Sequence, residues 1–256
     1  MPWSDRMDSA ALAIPLAKVG EVGEGFFKER TSDTLPCQAD SSHLFCFDWA
    51  RENIDSFATP ALQHVELVAI SVVAGFAIAF ALALAAHRRR WLQPPLLAAT
   101  GVIYTVPSLA FFFLLLPVTG LGADTVIIAL SAYTLQIIYR NTIAGLANVP
   151  SAAKDAARGM GMSERQLLWR VELPLAVPEI VAGLRIATVS TVALATLAVF
   201  INGGGLGTKI YGSGNLTFPT SIVIAGGLAM AIAFAFDLIL LGVQRRVTPW
   251  RRAAQA

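Results

Sequence analysis

Four stretches of this chain, 67–86, 91–123, 186–208 and 210–236, contain no charged side chain at all. A helix crosses the roughly 30 Å hydrocarbon layer of a bilayer with about 20 mostly apolar residues, and each of these runs is long enough. A fifth run, 125–139, suffices once Arg140 extends its guanidinium to an interface. A water-soluble helical protein would need a comparable length of amphipathic helix to cover so much apolar chain. This sequence, 55% hydrophobic and 14% charged, has none. It therefore predicts an all-α membrane protein with five transmembrane helices, near 62–86, 96–118, 123–146, 176–201 and 218–243.

The basic residues set the orientation. Arg88, Arg89 and Arg90 follow the first span, and Arg245, Arg246, Arg251 and Arg252 follow the fifth. Lys154, Arg158, Arg165 and Arg170 lie between the third and fourth, whereas the connections after spans two and four hold only Lys209. By the positive-inside rule the N-terminus is outside and the C-terminus inside. The net charge of +2 is thus a topology signal and suggests no nucleic-acid partner. Three regions follow: an extracytoplasmic segment at 1–60, a transmembrane domain at 61–246 and a cytoplasmic tail at 247–256.

The first 60 residues hold ten acidic against five basic side chains and no run long enough to span. No basic segment precedes an apolar core of about 7–15 residues, so a cleavable signal is not expected. Cys37 and Cys46, the only cysteines, both fall here. In an oxidising compartment they can close a small disulfide loop; the other reading is two unpaired thiols.

Two features interrupt the apolar spans. Pro107, within Tyr104-Thr105-Val106-Pro107-Ser108, removes a backbone hydrogen bond and favours a kink, and Thr105 and Ser108 can satisfy the freed carbonyls. The kink reads either as packing or as a hinge lining a pathway. Arg185 and Asp237 are the other feature. Both lie roughly 10–12 Å from the cytoplasmic face at 1.5 Å per residue, where charges need partners. They read as an ion pair; alternatively, Asp237 attracts a cationic substrate.

The connection between the third and fourth spans predicts two short helices. Ser151 can cap the first, and Gly161 can end it in a left-handed conformation. Ser163 and Gln166 form a capping box for the second, which Pro174 is expected to end. Ala156 and Ala157 leave a surface without bulk, and Asp155 adds a charge to it.

Catalytic and metal chemistry find no support. The segment 200–209 is glycine-rich, but its lysine follows the threonine, so it does not match a phosphate-binding loop. Its glycines read as a tight surface return with positive φ. His43, His64 and His87 have no cysteine or carboxylate at ligand spacing. No nucleophile motif is present.

Asp155-Ala156-Ala157, then Gly161, Val171, Leu173 and Pro174, resemble the EAA loop of the membrane subunits of binding-protein-dependent ABC importers. Asp155 stands where that family usually has Glu. Thr-Val-Pro-Ser-Leu-Ala (105–110), Tyr-Arg-Asn-Thr (139–142), Ala-Gly-Leu-Arg-Ile-Ala-Thr-Val (182–189) and Gly-Gly-Gly-Leu-Gly (203–207) extend the resemblance across residues 60–243. Together they resemble the osmoprotectant branch, whose permeases import glycine betaine, proline betaine, choline or carnitine. Tyr104 stands where many relatives carry glutamine.

The resemblance implies a multi-pass bacterial inner-membrane permease, not an enzyme, working by alternating access. It implies cytoplasmic ATPase subunits, which carry the ATP and Mg, a second identical or paralogous permease, an extracytoplasmic substrate-binding protein, and surrounding lipid. Asp155, Ala156, Ala157, Gly161, Ser163, Leu173 and Pro174 would couple to the ATPase. Tyr104, Thr105, Pro107, Ser108, Tyr133 and Asn141 would line the translocation path. Tyr104, Phe111, Phe112, Phe113 and Tyr133 could offer cation–π faces to a quaternary ammonium group, or simply pack against lipid. The same architecture importing an amino acid or methionine-like substrate is the alternative.

Overall fold

The computed structural model describes residues 45–211 and 219–248, all within the second of the chain's two units, Leu44–Ala256. Cys37, His43, most of the 1–60 segment and most of the 247–256 tail lie outside the described residues. The described elements are all helical. They are α1 (Phe47–Asn53), a 3₁₀ turn (Ile54–Phe57), α2 (Ala58–Arg88), a 3₁₀ turn (Arg90–Leu92), α3 (Gln93–Thr105) and α4 (Ser108–Thr119). Then come α5 (Ala123–Ala147), α6 (Ser151–Gly159), α7 (Glu164–Leu167), a π-helical turn (Leu168–Glu172) and α8 (Leu173–Ala195). A 3₁₀ turn (Thr196–Ile201), α9 (Gly207–Tyr211) and α10 (Pro219–Val247) complete the order. Four continuous stretches are long and apolar enough to cross a membrane: Phe47–Arg88, Ala123–Ala147, Glu164–Ile201 and Pro219–Val247. A fifth crossing exists only if α3 and α4 together make one span.

That pair corrects the single kinked span expected at 96–118. The axes of the two halves differ by 99°. Val106 (φ −67°, ψ 131°) and Pro107 (φ −57°, ψ 130°) are both extended, because a residue before proline is pushed out of the helical region and proline cannot donate. Two consecutive extended residues stop one helix and re-aim the next.

Two other proline and cap expectations are corrected. Pro174 does not end a helix: the chain stays helical from Glu164 to Ile201. The π-helical turn absorbs the proline, since Leu173 N–H already bonds back five residues to the Leu168 carbonyl and Pro174 falls in the first turn of α8. Ser151 is the first residue of α6, whose N-cap is Pro150, and makes no cap bond.

α2, α5 and α8 form the centre of the bundle. Without a hydrophobic drive between helices in lipid, close approach depends on small residues. Gly75 of α2 shows it: a Cβ there would lie 1.7 Å from Thr134 Oγ1 of α5. The buried side chains form three layers along the bundle. Leu67, Val68 and Val72 meet Val126, Leu130 and Val192 near one end. Ala79, Ala83 and Ile138 fill the middle, and Leu146, Leu168, Leu173 and Ile180 the other end. α10 packs against α8 and is the least buried of the long helices, with 11% of its most apolar window inside the protein.

Candidate functional site

The segment between α5 and α8 is a built knob at the arginine-bearing end of the bundle. Gly161 has φ +77°, a conformation cheap only for glycine. Gly161 N–H bonds the Arg158 carbonyl at 2.9 Å and Met162 N–H the Ala157 carbonyl at 3.2 Å, the paired bonds of a Schellman motif. The capping box follows: Ser163 N–H donates to Gln166 Oε1 at 2.9 Å, and Gln166 N–H to Ser163 Oγ at 3.3 Å. Arg158 Nε donates to Glu164 at 3.2 Å across the turn, and that bond, with the charges of Glu164 and Asp155, holds its guanidinium above its ordinary pKa. α6 presents Ser151, Ala152, Asp155 and Ala156 to solvent. Ala157 is buried, and so is Leu173, with Pro174 half-buried beside it. The last three therefore support the knob from beneath and are not on its outer surface.

The π-helical turn sets which side chains face inward. Leu167 and Leu168 are buried, and so are Glu172 and Leu173, five positions later. In an α-helix a five-residue step lands about 140° away from its start; the wider turn brings the two pairs onto one face.

At the break between α3 and α4 the structure gathers five of the six residues expected on a path. Tyr133 of α5 is buried, and its hydroxyl donates to the Val106 carbonyl that the break leaves free. Its ring meets Tyr104 at 6.0 Å and Phe111 at 5.6 Å between centroids, both edge-on. Thr105 Oγ1 bonds the Val102 carbonyl at 2.8 Å. Tyr104, Thr105 and Pro107 are exposed and Ser108 is half-buried. Asn141 lies elsewhere: it bonds the Ile137 carbonyl of its own helix, and its Cβ fills the place a Cβ of Gly183 would take. It is a packing residue between α5 and α8. Phe112 is fully buried in the core and Phe113 half exposed.

Arg185 of α8 grips Asp237 of α10 through two bonds, Nε to Oδ1 at 2.7 Å and Nη2 to Oδ2 at 2.8 Å. Each carboxylate oxygen takes one of these bonds, so the charge of Asp237 is matched by a fixed guanidinium. Gln244 of α10 donates to the Pro178 carbonyl of α8 at 3.1 Å. Cys46 is buried and disulfide-bonded; Cys37, the expected other half, lies outside the described residues.

Several polar residues escaped sequence reasoning. His64 is fully buried: Leu206 N–H donates to its Nδ1 at 3.4 Å, so its Nε2 carries the proton and donates to the Val192 carbonyl at 3.0 Å. Gln63 Oε1 accepts from Gly205 N–H at 3.3 Å. The glycine-rich return, with positive φ at Gly204 and Gly205, is thus pinned to α2. At the opposite end a cleft of about 610 Å³ is lined by His87, Arg88, Arg90, Lys154, Arg158 and Glu172, among others. These contacts join residues far apart in the chain and mostly use backbone groups, so no local pattern announces them. Among the described residues no three of His, Cys, Asp and Glu cluster as metal ligands.

Comparison with known proteins agrees with this architecture. Residues 72–252 match the family model described as "Binding-protein-dependent transport system inner membrane component". The choline transport system permease protein OpuBD of Bacillus subtilis is 40% identical over 170 residues, 66% of this chain and 75% of that protein. The glycine betaine/carnitine/choline transport system permease protein OpuCD of the same organism is 36% identical over 78% of this chain and 86% of its own length. The osmoprotectant import permease protein OsmW of Salmonella typhimurium is 33% identical over 77% of this chain and 94% of that protein. Among solved structures, the inward-facing MetNI methionine ABC transporter aligns with a TM-score of 0.61 at 21% identity, covering 73% of this chain and 95% of that one. An amino acid ABC transporter aligns with a TM-score of 0.63 at 20% identity, covering 78% and 98%. At those identities the structural likeness shows the fold alone. The chain belongs to the binding-protein-dependent transport system inner membrane component family: it is a transmembrane permease subunit of an ABC importer, resident in the inner membrane, and not an enzyme.

Proposed function

We propose that this permease imports quaternary-ammonium compatible solutes of the glycine betaine, proline betaine, choline and carnitine type. In this reading the N-terminus is outside and the C-terminus inside, and α6 with its following turn receives a cytoplasmic ATPase. A second permease completes the pathway, and an extracytoplasmic binding protein delivers the substrate. The observation that carries the proposal is the knob at 151–172. It is a stiff, capped helix pair whose small residues and Asp155 face outward, at the end of the bundle where Arg88, Arg90, Lys154, Arg245 and Arg246 collect. The relatives named for choline, glycine betaine and carnitine support the substrate class. So does the aromatic group at the broken span, where Tyr104, Phe111 and Tyr133, with Thr105, Pro107 and Ser108, would face a passing cation. An amino acid or methionine-like substrate has only a fold-level likeness behind it.

The test is reconstitution with the ATPase and binding protein in proteoliposomes, reading ATPase association, stimulated hydrolysis and uptake of labelled choline and glycine betaine. Gly161→Leu forces a side chain into a left-handed position on the docking knob, and is expected to leave the permease in the membrane but abolish ATPase association and uptake. Asp155→Glu should be nearly silent and Asp155→Lys should impair coupling. Normal association and uptake in Gly161→Leu would overturn the docking role. A binding protein that purifies with an amino acid bound would overturn the substrate class.

A further inference from the structure

Glu172 is the one acidic side chain that is buried among the described residues. It closes the π-helical turn at the start of α8, and two helices reach for it. His87 Nε2, in the last turn of α2, donates to Oε2 at 2.8 Å, and Lys154 Nζ, in α6, lies 3.4 Å from Oε1. The same ammonium also donates to the Leu146 carbonyl in the last turn of α5 at 3.4 Å. The carboxylate therefore ties the knob to α2 and α8, and the lysine it holds reaches α5. Around it the cleft wall carries Arg88, Arg90, Arg158 and Arg165, with Glu164 as the only other acid among the described residues that line it. Without its charge, the Lys154 ammonium would be left half-buried among guanidinium groups with a single carbonyl for company.

We propose that Glu172 is a positioning residue for energy coupling. It holds Lys154, and with it α6, rigidly to the start of α8, so that a displacement of α6 by the ATPase turns α8 instead of flexing the knob. This inference rests on the reading of α6 as the docking element. Two features of the structure serve it. The π-helical turn lets Glu172 and Leu173 share the inward face with Leu167 and Leu168, and the surface that would meet the ATPase, at Asp155 and Ala156, does not include Glu172.

The experiment uses the complete transporter in proteoliposomes, with labelled choline and glycine betaine as probes. ATPase retention, stimulated hydrolysis and uptake are read per assembled complex. Glu172→Gln keeps an oxygen for His87 but loses the charge that holds Lys154. The expected result is a retained ATPase, hydrolysis within about twofold of the parent and an uptake per ATP lowered by about tenfold. The exchange of Lys154→Glu with Glu172→Lys is expected to restore uptake in part, and His87→Gln, which keeps an N–H donor, to stay coupled. Unchanged uptake per ATP in Glu172→Gln overturns the inference. So does loss of the ATPase from that variant, which would make Glu172 a support of the docking surface only. If Gly161→Leu remains fully coupled, the docking reading has failed and this inference falls with it; a failure confined to Glu172→Gln leaves the docking reading standing.

Discussion

The fork between Arg185 and Asp237 costs a membrane helix much less than either charge alone would. A guanidinium and a carboxylate with two short parallel bonds satisfy each other's strongest directions, which is why arginine suits such a site better than lysine. Removing one partner of a desolvated pair leaves the other uncompensated, at about 3–5 kcal/mol. Arg185→Ala and Asp237→Ala are each expected to lower the denaturation midpoint of the purified permease by a corresponding amount, and the double replacement to recover part of the loss. Strictly additive losses in that cycle would mean the two do not interact. This pair was legible in the sequence because two lone charges at matching depth have few other solutions. Tyr133 with Val106, and His87 with Glu172, were not, since they lie 27 and 85 positions apart and follow no local rule.

At the scale of elements, proline gave three different outcomes. Pro107 breaks its span at a right angle, Pro174 is absorbed by a π-helical turn, and Pro178 sits inside α8 without ending it. The residue type alone predicted a stop or a kink; the neighbouring turn and the packing decided which. Helix existence was legible from the apolar runs, and the α6 turn from Gly161, Ser163 and Gln166, because capping is local chemistry. The break needed tertiary help that the sequence does not display. The Tyr133 hydroxyl supplies it by taking the orphaned Val106 carbonyl. Tyr133→Phe keeps the ring contacts with Tyr104 and Phe111 and removes only that bond. It is expected to cost about 1–3 kcal/mol, read as a lower midpoint on denaturant unfolding in detergent. A midpoint equal to that of the parent protein would show that the carbonyl finds another donor.

For the whole molecule, the two ends of the bundle differ in chemistry. One carries Arg88, Arg90, Lys154, Arg165, Arg245 and Arg246, the other Arg51 and Lys209, whose ammonium packs on Phe57 and bonds Ser56. With the natural cysteines replaced, a single cysteine at Thr208 is expected to react with an impermeant thiol reagent in intact cells, and one at Ser163 to be protected. Labelling at Ser163 from outside would reverse the orientation. The pairing of α8 with α10 sets what such a molecule can do when it moves. Arg185 meets Asp237, and seven positions away along both helices Pro178 meets Gln244. The antiparallel register is thus locked at two rungs. A slip of one residue would stretch both bonds of the fork and pull Gln244 from its carbonyl, so the two rungs oppose sliding. α10, which has few contacts of its own with the bundle, rides on α8; under the docking reading proposed above, a swing begun at the knob would carry the two helices through the bilayer as a single lever arm.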